Sequence, residues 1–191
     1  MAANSPQDMM AAVISSMRER TGKSLEQWIT LVKKSGVDPL DQNAVRKWLK
    51  SEHGVLQNSQ WAIADAAARA AGWKEPSVEE YVDQQYAGPK AGLRPIFDKL
   101  RAIVESLGDD ISVEGRSTYT PFVRRRQFVA IAAATKTRVD VGLRYTKVPK
   151  SKLLVESTAP GQATHKLSLA SVGDVNADVE KLLRAAYEQN G

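Results

Sequence analysis

The sequence predicts an α+β protein: a small helical module, then an antiparallel sheet domain with long helices packed on one face. Three observations carry this. Apolar residues recur at helical spacing from Met9 to Ala71, the spacing changes to alternation after Asp110, and helical spacing returns at Asn176. The chain has 191 residues, enough for one large domain or two small ones. Composition places the helical module at 7–74, a linker carrying a short helix at 75–91, and the sheet domain at 92–190.

Met9, Met10, Val13, Ile14 and Met17 predict one amphipathic helix over 7–20. It is broken by Thr21-Gly22-Lys23, where Gly22 suits the left-handed conformation past a helix end. Ser24 to Gln27 reads as a capping box, the serine accepting from the N3 amide while the glutamine reaches back. The helix it opens buries Leu25, Trp28, Ile29 and Val32 and stops at Gly36. A third helix over 41–52 buries Ala44, Val45, Trp48 and Leu49. A fourth follows Asn58-Ser59 to Ala71, its alanines favouring the helix and permitting close helix approach. All four tryptophans, Trp28, Trp48, Trp61 and Trp73, lie in this module; Trp28 and Trp48 sit on apolar faces and read as core rather than as a base-stacking platform. Arg46, Lys47 and Lys50 form the polar side of the third helix, a solvated face rather than a DNA-reading one.

Ser77 caps a short helix to Tyr86, and Ala87-Gly88-Pro89 interrupts the chain. Leu93, Ile96, Phe97, Leu100, Ile103, Val104 and Leu107 then mark a strong amphipathic helix stopped by Gly108-Asp109-Asp110. Strands are predicted at 111–114, 118–123, 127–133, 138–145, 153–156 and 164–170, with a closing helix over 176–189. Thr135-Lys136-Thr137 reads as a hairpin loop. Val139, Val141, Leu143 and Tyr145 alternate with Arg138, Asp140, Gly142 and Arg144, which predicts one covered face and one polar, basic face.

Composition narrows the chemistry. The chain is 42% hydrophobic and 26% charged, ordinary for a globular protein, and has no cysteine, which removes disulfides, thiolate metal sites and cysteine nucleophiles. The first seventeen residues lack the pattern of a signal peptide, and no apolar run approaches the ~20 residues of a membrane span. A cytoplasmic protein is the expectation, with no membrane partner.

Arg20 to Trp28, with Trp48-Leu49-Lys50 and His53-Gly54, resembles the bacterial domain of unknown function 4287. The later half is similar to the domain of unknown function 5655, through Leu93 to Ile96, Leu107 to Asp110, Gln127-Phe128, Thr135 to Leu143, Thr164-His165 and Leu183 to Tyr187. The resemblance implies two modules and a bacterial cytoplasmic setting; it implies no reaction, ligand or catalytic residue.

No Walker loop, dinucleotide fingerprint or nucleophile elbow occurs, so no catalytic residue, cofactor or metal is assigned. His53 and His165 stand alone: His53 reads as a helix-end residue and His165 as a hydrogen-bonding residue at a strand start. Asp109-Asp110 reads as a turn, Asp140 as the partner of a neighbouring arginine, and Gly88 to Gly92 as a linker. What remains is charge. Arg116, Arg124, Arg125, Arg126, Lys136, Arg138, Arg144, Lys147, Lys150, Lys152 and Lys166 face only Asp140 and Glu156, so this stretch carries eleven minus two, or +9, in a chain of net +5. Segregated positive charge is compatible with an anionic partner and equally, for the arginine turn, with a solvated surface that keeps an edge strand from pairing with other chains.

The expected anion-binding residues are Arg116, Arg124, Arg125, Arg126, Lys136, Arg138 and Arg144, with nucleic acid as one candidate partner and Tyr119 or Phe122 available to stack. The triplet at 124–126 falls at a predicted turn and is the most compact part. The lysines at 147, 150 and 152 read as a solubilising loop. The function expected is non-catalytic binding of an anion. A small-molecule sensor or enzyme with a pocket between the modules near His165 and Asp140, and a protein-interaction role for the helical module, are the alternatives. Oligomeric state is left open.

Overall fold

The computed structural model describes residues 6–191, and the chain divides into two compact units between Glu75 and Pro76. The first unit holds α1 (Pro6–Ser15), α2 (Met17–Thr21), α3 (Leu25–Lys34), α4 (Gln42–His53) and α5 (Gln57–Ala70). The single helix expected over 7–20 is two. At the break, the Ser15 and Ser16 hydroxyls both donate to the Ala12 carbonyl, at 3.0 and 2.8 Å, and such back-bonding bends a helix. The Met9 side chain, expected on that apolar face, lies outside the described residues. Ser24 and Gln27 form the capping box of α3 as expected, and Asp41 caps α4.

The expected start of α5 at Asn58-Ser59 is displaced. Its first residue is Gln57, Ser59 is buried inside the helix, and Gln60 reaches back to the Val55 carbonyl. Helix α5 touches the other four helices of the unit. Its buried Ala62, Ala64, Ala67 and Ala68 let the neighbours come close, with Ile63, Val32, Val45, Leu49 and Trp28 filling the core.

The second unit opens with α6 (Val78–Gln85), whose capping box is Ser77 with Glu80. Residues 76–91, read from sequence as a linker, belong to this unit: Val82 and Tyr86 are buried in its core, and Gly88–Leu93 forms a 3-10 turn. Then come α7 (Arg94–Glu105), β1 (Ser112–Val113), β2 (Thr120–Val123), β3 (Gln127–Ala133), β4 (Val139–Leu143), β5 (Val155–Glu156), β6 (His165–Leu169) and α8 (Ala177–Glu188). The six strands make one antiparallel sheet in the order β1-β2-β3-β4-β6-β5, with the two shortest strands at the edges.

One face of the sheet carries Val129, Ile131, Val139, Val141, Leu143, Leu167 and Leu169 against Ile96, Phe97, Leu100, Val104, Val179, Leu182 and Leu183 of the long helices. Each fully buried side chain of this kind stabilises by about 1.5–3 kcal/mol. A bulge at the β2–β3 pairing turns Phe128 into the same core, edge-on to Tyr187.

The second face departs from the expectation of an open polar surface, since every residue of β4 is buried. The loop at 157–164 folds back over it, bringing Pro160 and Ala163 onto Gly142, and Gly161 onto Gln127 and Ala130. Small residues permit this approach, and alternation alone does not distinguish a small covered position from a polar open one. A Cβ at Gly142 would overlap the Pro160 carbonyl, a backbone atom. Gly142→Ala should therefore destabilise by about 1–3 kcal/mol. Gly173→Ala, where a new Cβ meets only the Ser171 hydroxyl at 3.6 Å, should be nearly neutral; paired urea titrations measure the difference.

Candidate anion-binding surface

The seven basic residues singled out from sequence do not form one patch. Thr120 pairs with Ile131 and Ala133 with Val139, so the β1–β2 connection and the β3–β4 hairpin share one end of the sheet. Arg116, Lys136 and Arg138 lie there. Val123 pairs with Gln127, and Leu143 ends β4, so Arg124, Arg125, Arg126 and Arg144 lie at the opposite end. The seven residues of β3 span the two ends, six steps of strand rise or about 20 Å.

Four cations of the basic stretch are already paired. Arg116 bonds Glu114 at 2.7 Å. Arg138 and Lys166 reach the two oxygens of Asp140 at 2.8 and 2.9 Å, and Ser168 donates to it at 2.8 Å. Asp140 is therefore the structural acid that its basic surroundings predicted. Burial pushes its carboxyl up, but the hydrogen bonds from Lys166 and Ser168 and the charges of Lys166 and Arg138 together hold it below the usual aspartate value.

Arg124 is the fourth. Its Nε sits 2.5 Å from Asp110, its guanidinium lies 4.1 Å from the Tyr187 ring centroid, and Nη1 donates to the Tyr187 carbonyl at 3.2 Å. The Tyr187 hydroxyl donates to the other Asp110 oxygen at 2.8 Å. Hydrogen bonds from Arg124 and Tyr187 hold the Asp110 carboxyl down, and the hydrogen bond the Tyr187 phenol donates to Asp110 in turn raises that phenol. A Cβ at Gly108 would overlap the Tyr187 hydroxyl, so a side chain there displaces that hydroxyl from Asp110. The sequence reading of Asp109-Asp110 as a plain turn missed this clamp, because Tyr187 lies 77 residues away.

The other candidates remain free or nearly so. Arg125 and Arg126 are exposed, adjacent on the β2–β3 turn, and have no hydrogen-bond or ion-pair partner among the described residues; the turn is closed by the Arg124 amide donating to the Arg126 carbonyl. Lys136 is likewise exposed. Among the described residues the Arg144 guanidinium is held only by the neutral Gln162, at 2.8 Å. Phe122 is wholly buried and cannot stack on a base, whereas Tyr119 is half-exposed.

The remaining candidates resolve simply. His165 opens β6, with Nδ1 3.2 Å from the Thr164 hydroxyl. It pairs with Leu143 while Asp140 pairs with Ser168, so the two side chains leave opposite faces of the sheet and cannot share a pocket. His53 ends α4 between the edges of Trp28 and Trp48, at centroid distances of 5.2 and 4.6 Å. Trp28 is core, Trp48 is half-buried, and Trp61 is 44% exposed beneath the Arg46 guanidinium. No three His, Asp or Glu side chains among the described residues converge as a metal site, and no described helix is long and apolar enough to cross a membrane.

Fold and site thus define a two-unit α+β protein whose second unit is an antiparallel sheet packed by long helices, with Arg116, Arg124, Arg138 and Lys166 paired to carboxylates. The model of a family described as a domain of unknown function (DUF5655) matches residues 82–190, and that of another (DUF4287) matches residues 9–66. The chain belongs to the DUF5655 family, with a DUF4287 match preceding it. No curated protein matches the chain, and no solved structure does.

Because the folded-state value of Asp140 is depressed, its contribution is complete above the ordinary aspartate value of about 3.9 and is lost as pH falls through the lower folded value. Asp140→Asn leaves Arg138 and Lys166 without their counter-charge and should cost the second unit about 2–3 kcal/mol at neutral pH. The variant should also lose less stability than the parent between neutral pH and ~3.5. Urea unfolding at both pH values measures this.

Proposed function

We propose that this protein is a non-catalytic binding protein whose second unit holds a polyanion at the β2–β3 turn, with a nucleic-acid backbone as the leading candidate. The observation that carries the reading is the exposed Arg125–Arg126 pair with no acidic partner among the described residues. Two adjacent guanidiniums repel each other unless an anion lies between them, and their forked donors match phosphate oxygens. Arg144, bound only to a neutral amide, and the exposed Lys147 extend positive charge beside the same end of the sheet. Arg124 contributes little of this charge, being committed to Asp110. The contacts would be to backbone phosphate rather than to base edges, so the binding is sequence-tolerant. Lack of cysteine is compatible with a reducing, cytoplasmic setting.

Binding to single- and double-stranded nucleic acid, followed by fluorescence anisotropy across a salt series, tests the reading. Affinity should fall steeply with salt. Arg125→Ala/Arg126→Ala should weaken binding to all sequences alike and lower the log–log salt slope by about 2, roughly one per lost phosphate contact. Unchanged affinity in that variant rejects the reading.

A further inference from the structure

We propose that the concavity between the end of α6 and the far end of β3 binds a small organic anion: an apolar-bodied carboxylate or phosphate monoester bearing a further hydrogen-bond donor. The space there is about 470 Å³, lined by Gln84, Gln85, Lys90, Thr118, Ala132 and Ala134 among others. That lies within the roughly 300–1,000 Å³ of small-molecule sites. All its lining residues belong to the second unit, and none is acidic.

Two groups in this wall lack what their chemistry needs. Lys90 is half-buried, and its ammonium donates to the Ala133 carbonyl at 2.6 Å. No carboxylate among the described residues pairs with it, so a half-buried charge with two protons still to give lines the cavity without a counter-ion. Gln85 is only 7% exposed. Its Nε2 donates to the Arg116 carbonyl at 2.7 Å, which fixes the amide orientation, because a carbonyl can only accept. Its Oε1 is buried and has no partner. The unmet group is an acceptor, and no flip of the amide relieves it; a buried polar atom of this kind asks for a donor.

An anion beside Lys90 and an apolar body against Ala132, Ala133 and Ala134 fit the site, and a ligand donor meets Gln85 Oε1 once that amide, sealed from solvent in this structure, turns into the cavity. The exposed Ser117 and Thr118 hydroxyls lie on the same wall and add polar contacts. A cationic ligand finds no counter-charge there. The sequence reading of Gly88 to Gly92 as a spacer hid Lys90, whose position depends on a strand 43 residues away.

The test is titration of the isotope-labelled full chain with benzoate, para-hydroxybenzoate and phenyl phosphate, followed by amide shifts in NMR. Saturable shifts at Lys90, Thr118 and Ala134 are expected, with para-hydroxybenzoate binding more tightly than benzoate because it brings a donor. The preference between carboxylate and phosphate then identifies the ligand's acidic group. Lys90→Gln should weaken binding roughly tenfold or more, while Arg125→Ala/Arg126→Ala should leave it unchanged, which separates this site from the polyanion surface. Ala134→Glu, made at an exposed position, sets a like charge against the anion and should weaken binding in the same direction without depending on how Lys90→Gln folds. Absence of saturable shifts at these amides with all three probes overturns the proposal. So do shifts confined to 124–126, or affinity unchanged in Ala134→Glu.

Discussion

The Arg124 guanidinium lies on the ring of Tyr187, bonds Asp110 and reaches the Tyr187 carbonyl, so three segments distant in sequence close around one charge. The β2–β3 turn, the turn after α7 and the last turn of α8 all depend on that meeting. Phe128, turned inward by the bulge beside it, packs edge-on to the same tyrosine and joins the clamp to the hydrophobic core. The clamp also orders the chemistry around it. By anchoring the first arginine of a triplet, it presents the next two to solvent on a turn that is closed by its own backbone hydrogen bond. A run of like charges thereby divides into one structural residue and two available ones.

A second constraint is that the central strands are covered on both faces. Ala130 and Gly142 are small enough for the 157–164 loop to approach, and Asp140 is a charge buried on the same face. A buried carboxylate persists only when paired and hydrogen-bonded, and Arg138, Lys166 and Ser168 do this. The +9 of the basic stretch therefore overstates what a partner meets. Arg116, Arg124, Arg138 and Lys166 are matched within the fold, and the free charge gathers at separated places.

Local signals in the sequence were enough for most elements. Ser24 with Gln27, Ser77 before α6, the heptad-like apolar spacing of α7 and the alternation of β4 all act over a few residues, and the structure places helices and strands there. The two-family organisation was legible too. What stayed hidden depends on contacts between distant residues. Nothing near Asp110 announces Tyr187, nothing near Lys90 announces the Ala133 carbonyl, and Gly142 beside arginines looks polar until the loop that covers it is in place. The break at Ser16 is the exception. Its cause, two adjacent serines bonding one carbonyl, is local, but the strong apolar spacing around it outweighed that signal.

Within the arginine triplet, the structural role of Arg124 separates from the available charge of Arg125 and Arg126 in a double-mutant cycle between Asp110 and Arg124. Asp110→Asn, Arg124→Gln and the double variant are each measured for unfolding free energy and for the salt slope of nucleic-acid binding. Positive coupling between the two positions in stability is expected, with a salt slope that Arg124→Gln leaves as it is in the parent. A slope that drops in Arg124→Gln as far as in Arg125→Gln, with no coupling in stability, would contradict that separation.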